Sequence, residues 1–226
     1  MEYENIKPAK FISRLNRFIA NIEIDGEAEI CHVKNTGRLK ELLVPGARVF
    51  VQESFNSSRR TRYDLISVYK GERLVNIDSQ VPNKVFYEWI TDNNLFGDIV
   101  FIKPECKYKD SRFDFYMETA ARKIFIEVKG VTLEENGVAM FPDAPTERGV
   151  KHIDGLIRCV KDGYKAYVIF IIQMKGVLYF TPNVRTHKAF ADALIRAENQ
   201  GVKILAVDCV VGKNAIRANN FVDVRL

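Results

Sequence analysis

Two neighbouring segments of the chain, Ser111–Thr119 and Lys123–Lys129, alternate apolar with polar residues. That is the period of a strand with one buried face. In the first, Phe113, Phe115 and Met117 fall on one face and Arg112, Asp114, Tyr116 and Glu118 on the other. In the second, Ile124, Ile126 and Val128 oppose Phe125, Glu127 and Lys129. A tight turn at Ala120–Ala121 makes them a hairpin, with Asp114 opposite Glu127 and Glu118 opposite Lys123. Residues so placed have Cβ atoms roughly 5 Å apart. Two carboxylates at that separation repel, and a divalent cation removes the conflict. Mg²⁺, or Mn²⁺ in its place, is held by one or two carboxylates plus water and phosphate oxygens. Lys129 lies two residues beyond Glu127 on the same face, where an amine orients or activates a water. The combination suits phosphodiester hydrolysis. The plain alternative is an exposed hairpin whose charges pair across the strands.

The rest of the pattern divides the chain. Residues 1–81 read as all-β, with strand candidates at Lys10–Ile24, Glu27–Lys34, Arg48–Ser54, Thr61–Tyr69 and Glu72–Asp78, and a short helix at Arg38–Leu43. Turn signals such as Asp25-Gly26 and Lys70-Gly71 separate them. The spacing predicts a small barrel or sandwich. Residues 82–226 read as mixed α/β. Helices are predicted at Lys84–Thr91, at Thr146–Asp162 with Gly163 as its stop, and at His187–Asn199 with Thr186 as N-cap. Strands are expected at Ile99–Tyr108, Gly137–Phe141, Ala166–Ile172, Leu178–Thr181 and Ile204–Val210. Ala166–Ile172 is apolar enough for a central strand covered on both faces.

Composition narrows the class without choosing a function. The chain has 226 residues, 47% hydrophobic and 28% charged, with a net charge of +5. A charge of this size permits nucleic-acid binding without requiring it. No apolar run is long enough to span a bilayer, and no signal peptide is visible. Cys31, Cys106, Cys159 and Cys209 are scattered without metal-binding spacing, as expected of free thiols in a reducing cytoplasm. Walker A, GxSxG, HExxH and dinucleotide fingerprints are absent.

Further candidates flank the hairpin. Arg148 and His152 are four apart on the predicted middle helix, near an N-terminal end suited to an anion. Either Asp143 or Thr146 could cap that helix. In the all-β part, Lys34-Asn35-Thr36-Gly37-Arg38 is a polar turn presenting two cations. Arg59, Arg60 and Arg62 form a second basic cluster, beside Phe55 and Tyr63. Cations mixed with aromatics suit phosphate contacts and base stacking. Each group can equally be solvated surface. His32 and His187 show no partner pattern.

The segments NTGRLKELLVPG, RFDFYMET, IEVKGVTL and FPDAPTERGVKH, in this order, resemble signature segments of the SfsA family, the sugar fermentation stimulation proteins. The similarity extends nearly end to end. It implies an OB-type β-barrel followed by a restriction-endonuclease-like domain of the PD-(D/E)XK kind, and DNA binding. By position, Asp114 matches the second-strand aspartate of that nuclease pattern, and Glu127 and Lys129 its E-x-K. Phe113 stands where many such nucleases carry proline. Glu88 is a candidate for their first-helix acidic residue, though no motif fixes it. The expectation is a cytoplasmic, double-stranded-DNA-binding protein, with RNA as the alternative ligand. Asp114 and Glu127 would hold Mg²⁺ or Mn²⁺, with Lys129 at the attacking water and Arg148 and His152 at the scissile phosphate. The rival is a non-catalytic transcriptional regulator on the same fold.

Overall fold

The structure, a computed structural model, describes residues 1–56 and 58–226. Six strands build the N-terminal part: β1 (Ile6–Arg14), β2 (Ile19–Ile24), β3 (Glu27–Val33), β4 (Arg48–Glu53), β5 (Tyr63–Lys70) and β6 (Arg73–Asn76). They are ordered β3-β2-β1-β4-β5-β6, and β3 also pairs in parallel with β5. That pairing closes a five-stranded barrel and leaves no free edge among those five strands. Inward residues such as Ala20, Ile22, Val33, Val51, Leu65 and Val68 are fully buried.

Two expectations here need correction. The run Lys10–Ile24 is two strands, because the chain reverses at Asn16, whose carboxamide accepts the Phe18 and Ile19 amides. Arg38–Leu43 is not a helix. Leu39 sits at φ +49°, and only a turn at Lys40–Leu42 follows. A positive φ at a branched residue ends any helical path.

The second part is an α/β sandwich. Its elements are α1 (Pro82–Asp92), β7 (Ile99–Tyr108), β8 (Ser111–Thr119), β9 (Lys123–Val131), β10 (Leu133–Glu135), β11 (Val138–Phe141), α2 (Glu147–Lys161), β12 (Lys165–Ile172), β13 (Tyr179–Pro182), α3 (Val184–Asn199), β14 (Lys203–Val211) and β15 (Ile216–Val222). The main sheet runs β15-β14-β12-β9-β8-β7, and β10-β11-β13 form a small second sheet. In β12, Val168, Phe170 and Ile172 belong to the core beneath α2 and α3, while Ile169 and Ile171 pack with α1. The predicted two-faced burial of this strand is therefore present. β15, with the sequence IRANNFV, was not expected.

The hairpin is central rather than exposed. β9 lies between β8 and β12, parallel to β12, and residues Ile124 through Val128 are all buried. Its register matches the expected one as far as the ladder runs: Phe115 pairs with Ile126, Tyr116 with Phe125 and Glu118 with Lys123, but the expected pairing of Asp114 with Glu127 is not formed. The apolar face of β8 differs from the alternation. Phe113 packs with Phe125 under α2, whereas Phe115 and Met117 pack with α1. The strand changes face at Asp114, opposite Glu105, which has φ +49° and breaks the β7 ladder.

The two parts are joined by buried polar contacts. Gln173 Nε2 donates to Asn76 Oδ1 (2.9 Å) and to the Asp78 carbonyl (3.0 Å). Lys70 and Arg73 of the barrel pair with buried Glu134 of β10. Tyr3 packs in the α1-side core and accepts from Asn76 Nδ2 (2.9 Å).

Candidate metal and nucleic-acid site

The face change at Asp114 makes the site. The β8–β9 ladder ends at Phe115–Ile126. One step further, the Val128 N–H donates to the Asp114 carboxylate (2.8 Å) instead of to a backbone carbonyl. The other Asp114 oxygen accepts from Asn83 Nδ2 (3.0 Å), in the first turn of α1. Glu127, buried on the α2 face of β9, accepts through Oε1 from Lys129 Nζ and His152 Nδ1 (2.5 Å). Its Oε2 is buried and has no hydrogen-bond partner. A buried carboxylate oxygen left so is costly unless something outside the chain satisfies it.

The two carboxyls are held in different states. Burial and the neighbouring Glu127 charge raise the Asp114 pKa. Burial also acts to raise that of Glu127, but the hydrogen bond from His152 and the charge of Lys129 outweigh it and bring it below the usual value. Glu127 is thus the settled anion, and Asp114 is the group that gains most from a nearby cation.

All five expected site residues line one cavity of about 290 Å³: Asp114, Glu127, Lys129, Arg148 and His152. Helix α2 delivers the last two. Its N-cap is Thr146, whose Oγ1 accepts from the Gly149 amide (3.0 Å), so Thr146 rather than Asp143 caps it. His152 is buried with Nδ1 on Glu127, while Arg148 Nε approaches its Nε2 (3.4 Å). These partners require a proton on Nδ1 and a lone pair on Nε2. His152 therefore positions Glu127, whereas the Arg148 side chain is exposed at the cavity. Glu88 lies elsewhere and pairs with the N-terminal amine.

The basic groups of the barrel behave differently from one another. Arg59 pairs with Asp64, and Arg62 with Glu53, both carboxylates being buried. Lys34 also pairs with Asp64 (3.0 Å). Arg60 is exposed and takes part in no ion pair among the described residues. The polar turn borders the site. Asn35 Oδ1 accepts from the Gly37 amide (2.7 Å), and the Arg38 amide donates to Asp143 of the α2 approach (3.0 Å). A side chain at Gly37 would overlap the Asp143 carboxylate and lie 2.8 Å from Asn35 Oδ1.

Sequence reasoning missed Arg14. Its guanidinium donates to the carbonyls of Arg17, Asn35, Gly37 and Arg38 at 2.7–2.9 Å and so shapes the polar turn. As an arginine at the end of a strand, it carried no distinguishing signal. Gly130 was also missed, although it directly follows the E-x-K. A Cβ there would meet Gln173 Oε1 at 2.5 Å and Pro82 Cγ at 2.7 Å.

Family comparison agrees with this architecture. A family description "SfsA N-terminal OB domain" matches residues 12–77, and "Sugar fermentation stimulation protein RE domain" matches residues 80–215. The chain belongs to the SfsA family. It is 62% identical to the sugar fermentation stimulation protein homologs of Clostridium beijerinckii and Desulfitobacterium hafniense, over all of this chain and 100% and 99% of theirs. It also resembles a solved SfsA from Pyrococcus furiosus, described as a complex with Ca²⁺. There the TM-score is 0.90 and the identity 30%, over 100% of this chain and 98% of that one. The SfsA fold is thus a closed OB barrel followed by a mixed α/β domain. No helix among the described residues is long and apolar enough to cross a membrane.

Proposed function

We propose that this SfsA protein is a cytoplasmic, divalent-cation-dependent nuclease acting on double-stranded DNA. The observation carrying this reading is the unpartnered, buried Oε2 of Glu127 beside Asp114, in a cavity that also holds Lys129 and Arg148. The donor set fits Mg²⁺ or Mn²⁺: two carboxylates, with room for water and phosphate oxygens. Among the described residues no group of three or more His, Cys, Asp or Glu is placed to hold a metal by itself. Mg²⁺ does not require one. The relative solved with Ca²⁺ supports an oxygen-lined cation site.

Asp114 and Glu127 would hold the cation, which supplies charge neutralisation and an acidified water. The chain's own groups do the rest. Asn83 and the Val128 amide fix the Asp114 carboxylate, and His152 fixes that of Glu127. Lys129 Nζ, beside Glu127, donates a hydrogen bond that orients the attacking water. Arg148 offers an exposed guanidinium to the scissile phosphate, where negative charge develops.

One observation favours a second reading, a DNA-binding regulator without chemistry. Lys129 neutralises Glu127 within the chain, and His152 hydrogen-bonds the same carboxylate oxygen. Incubation of supercoiled and linear DNA with and without Mg²⁺ or Mn²⁺ separates the two. The nuclease reading expects metal-dependent cleavage by wild type and none by Asp114→Ala. Absence of cleavage of any DNA or RNA by wild type refutes it.

A further inference from the structure

Three hollows follow one another along the junction of barrel and α/β domain. The first is the cavity at Asp114 and Glu127. It meets a second of about 300 Å³ at Ser79, Gly130 and Thr146. The second meets a third at Thr36, Gly37 and Ala144. The wall of the third carries Arg14, Arg17, Arg38 and Lys40.

Charge differs along this course from the loop before β5. Arg59 and Arg62 are spent on buried carboxylates, as described above. Arg17, Arg38 and Lys40 are exposed and enter no ion pair among the described residues. Of the acidic side chains nearby, Asp143 is turned to the Arg38 amide and Glu41 has one carboxylate oxygen buried, so neither pairs with these cations among the described residues. Arg14 holds the scaffold in place through four carbonyls, which brings the β1–β2 turn and the 35–38 turn together. Phe18 and Leu15 stand exposed on the same β1–β2 turn, so apolar surface for base contact adjoins the cations.

We propose that Arg17, Arg38 and Lys40 form a phosphate track that leads the nucleic-acid strand from the Asp114–Glu127 site, past Thr36 and Gly37, onto the β1–β2 turn. The proposal rests on the nuclease reading for the strand's other end, and it assigns the binding to this turn instead of the 59–62 loop. Charge complementarity with a polyanion and continuity with the site argue for it together. Cations meeting backbone phosphates release counterions, so each contact contributes to the salt dependence of binding.

The test is binding without hydrolysis. Full-length protein in EDTA is titrated into labelled 30-mers, single-stranded and duplex, at several salt concentrations. Compared with wild type are the triple variant Arg17→Gln/Arg38→Gln/Lys40→Gln, each single glutamine change, and Arg60→Ala. Thermal melts confirm that each is folded. Arg14 is left alone because it holds the backbone. The triple variant should lose at least tenfold in affinity at physiological salt. Its log–log salt slope should flatten by about 0.9 per lost duplex contact, or about 0.7 on a single strand, hence by about 2–3 in all. Arg60→Ala should change little, and each single change should remove about a third of the effect. A triple variant that binds like wild type overturns the track, as does a larger loss in Arg60→Ala. A flattened slope without metal-dependent cleavage keeps the track and refutes the nuclease reading instead.

Discussion

Asp114→Asn is expected to make the metal-free protein more stable and metal-blind. Asp114 is buried beside Glu127, and both burial and that charge raise its pKa. Each unit of such a rise costs about 1.4 kcal/mol of folded stability at neutral pH. Asparagine removes the charge and keeps the shape. Its oxygen still accepts the Val128 amide, and its amide group can meet Asn83 if that carboxamide turns over. For a chain of this length, 1 kcal/mol moves the melting temperature by about 2–4 °C. The apo variant should therefore melt about 3–6 °C above wild type for each unit of pKa rise relieved. Wild type should gain in turn when a cation neutralises the pair, by about 2.7 kcal/mol at a concentration one hundred times Kd, or about 5–11 °C. Asp114→Asn should lose most of that gain. Differential scanning fluorimetry with EDTA and with a Mn²⁺ series reads both effects without any assay of cleavage. An apo variant less stable than wild type, or an undiminished metal shift in the variant, would refute the electrostatic account of the site.

Three further outcomes follow from the same geometry. Lys129→Met leaves buried Glu127 without its cation, so it should lower the melting temperature; assayed where the variant is still folded, DNA affinity should change little while hydrolysis falls at least a hundredfold, about 2.7 kcal/mol of transition-state stabilisation, in single-turnover cleavage. Gly37→Ala forces a methyl group against Asp143 and Asn35 and should cost about 1–3 kcal/mol in urea unfolding; a neutral result would contradict the tight packing of this turn. Asp64 is pushed up by burial but pulled further down by Arg59 and Lys34, so its folded pKa lies below the unfolded value. That stabilisation is present above about pH 4 and is lost as pH falls through the folded pKa. Arg59→Ala should thus lower stability at pH 7 and show a smaller loss on acidification, as measured by urea unfolding across pH 2–7.

The sequence made the hairpin register legible because a two-residue turn and unbroken alternation leave one solution. The E-x-K spacing then placed Glu127 and Lys129 on one face without any tertiary information. The other face of β8 was not legible. Phe113 and Phe115 look equivalent in sequence, and only the break opposite Glu105 sends them into different cores. The run before β5 read as a basic patch because Asp64 and Glu53 sit inside strands, where alternation gives no hint that they turn toward Arg59 and Arg62. Arg14 was hidden for a similar reason, since its partners are backbone carbonyls and leave no trace in side-chain patterns. β15 was missed because IRANNFV has too few apolar residues to alternate; as an edge strand it needs only one good neighbour.

The junction sealed by Gln173, Asn76, Glu134 and Tyr3 bears on how divisible the molecule is. Family descriptions break near residue 80, as though two modules had been strung together. Severing the chain there would strand Glu134 without Lys70 and Arg73, and Gln173 without Asn76 and Asp78. The cut would also leave Tyr3, which belongs to the α1-side core, on the wrong fragment. Both halves would expose surfaces built to be dry. The boundary drawn by sequence similarity is thus a poor place to separate the protein, whose two halves are better regarded as one heritable piece of machinery.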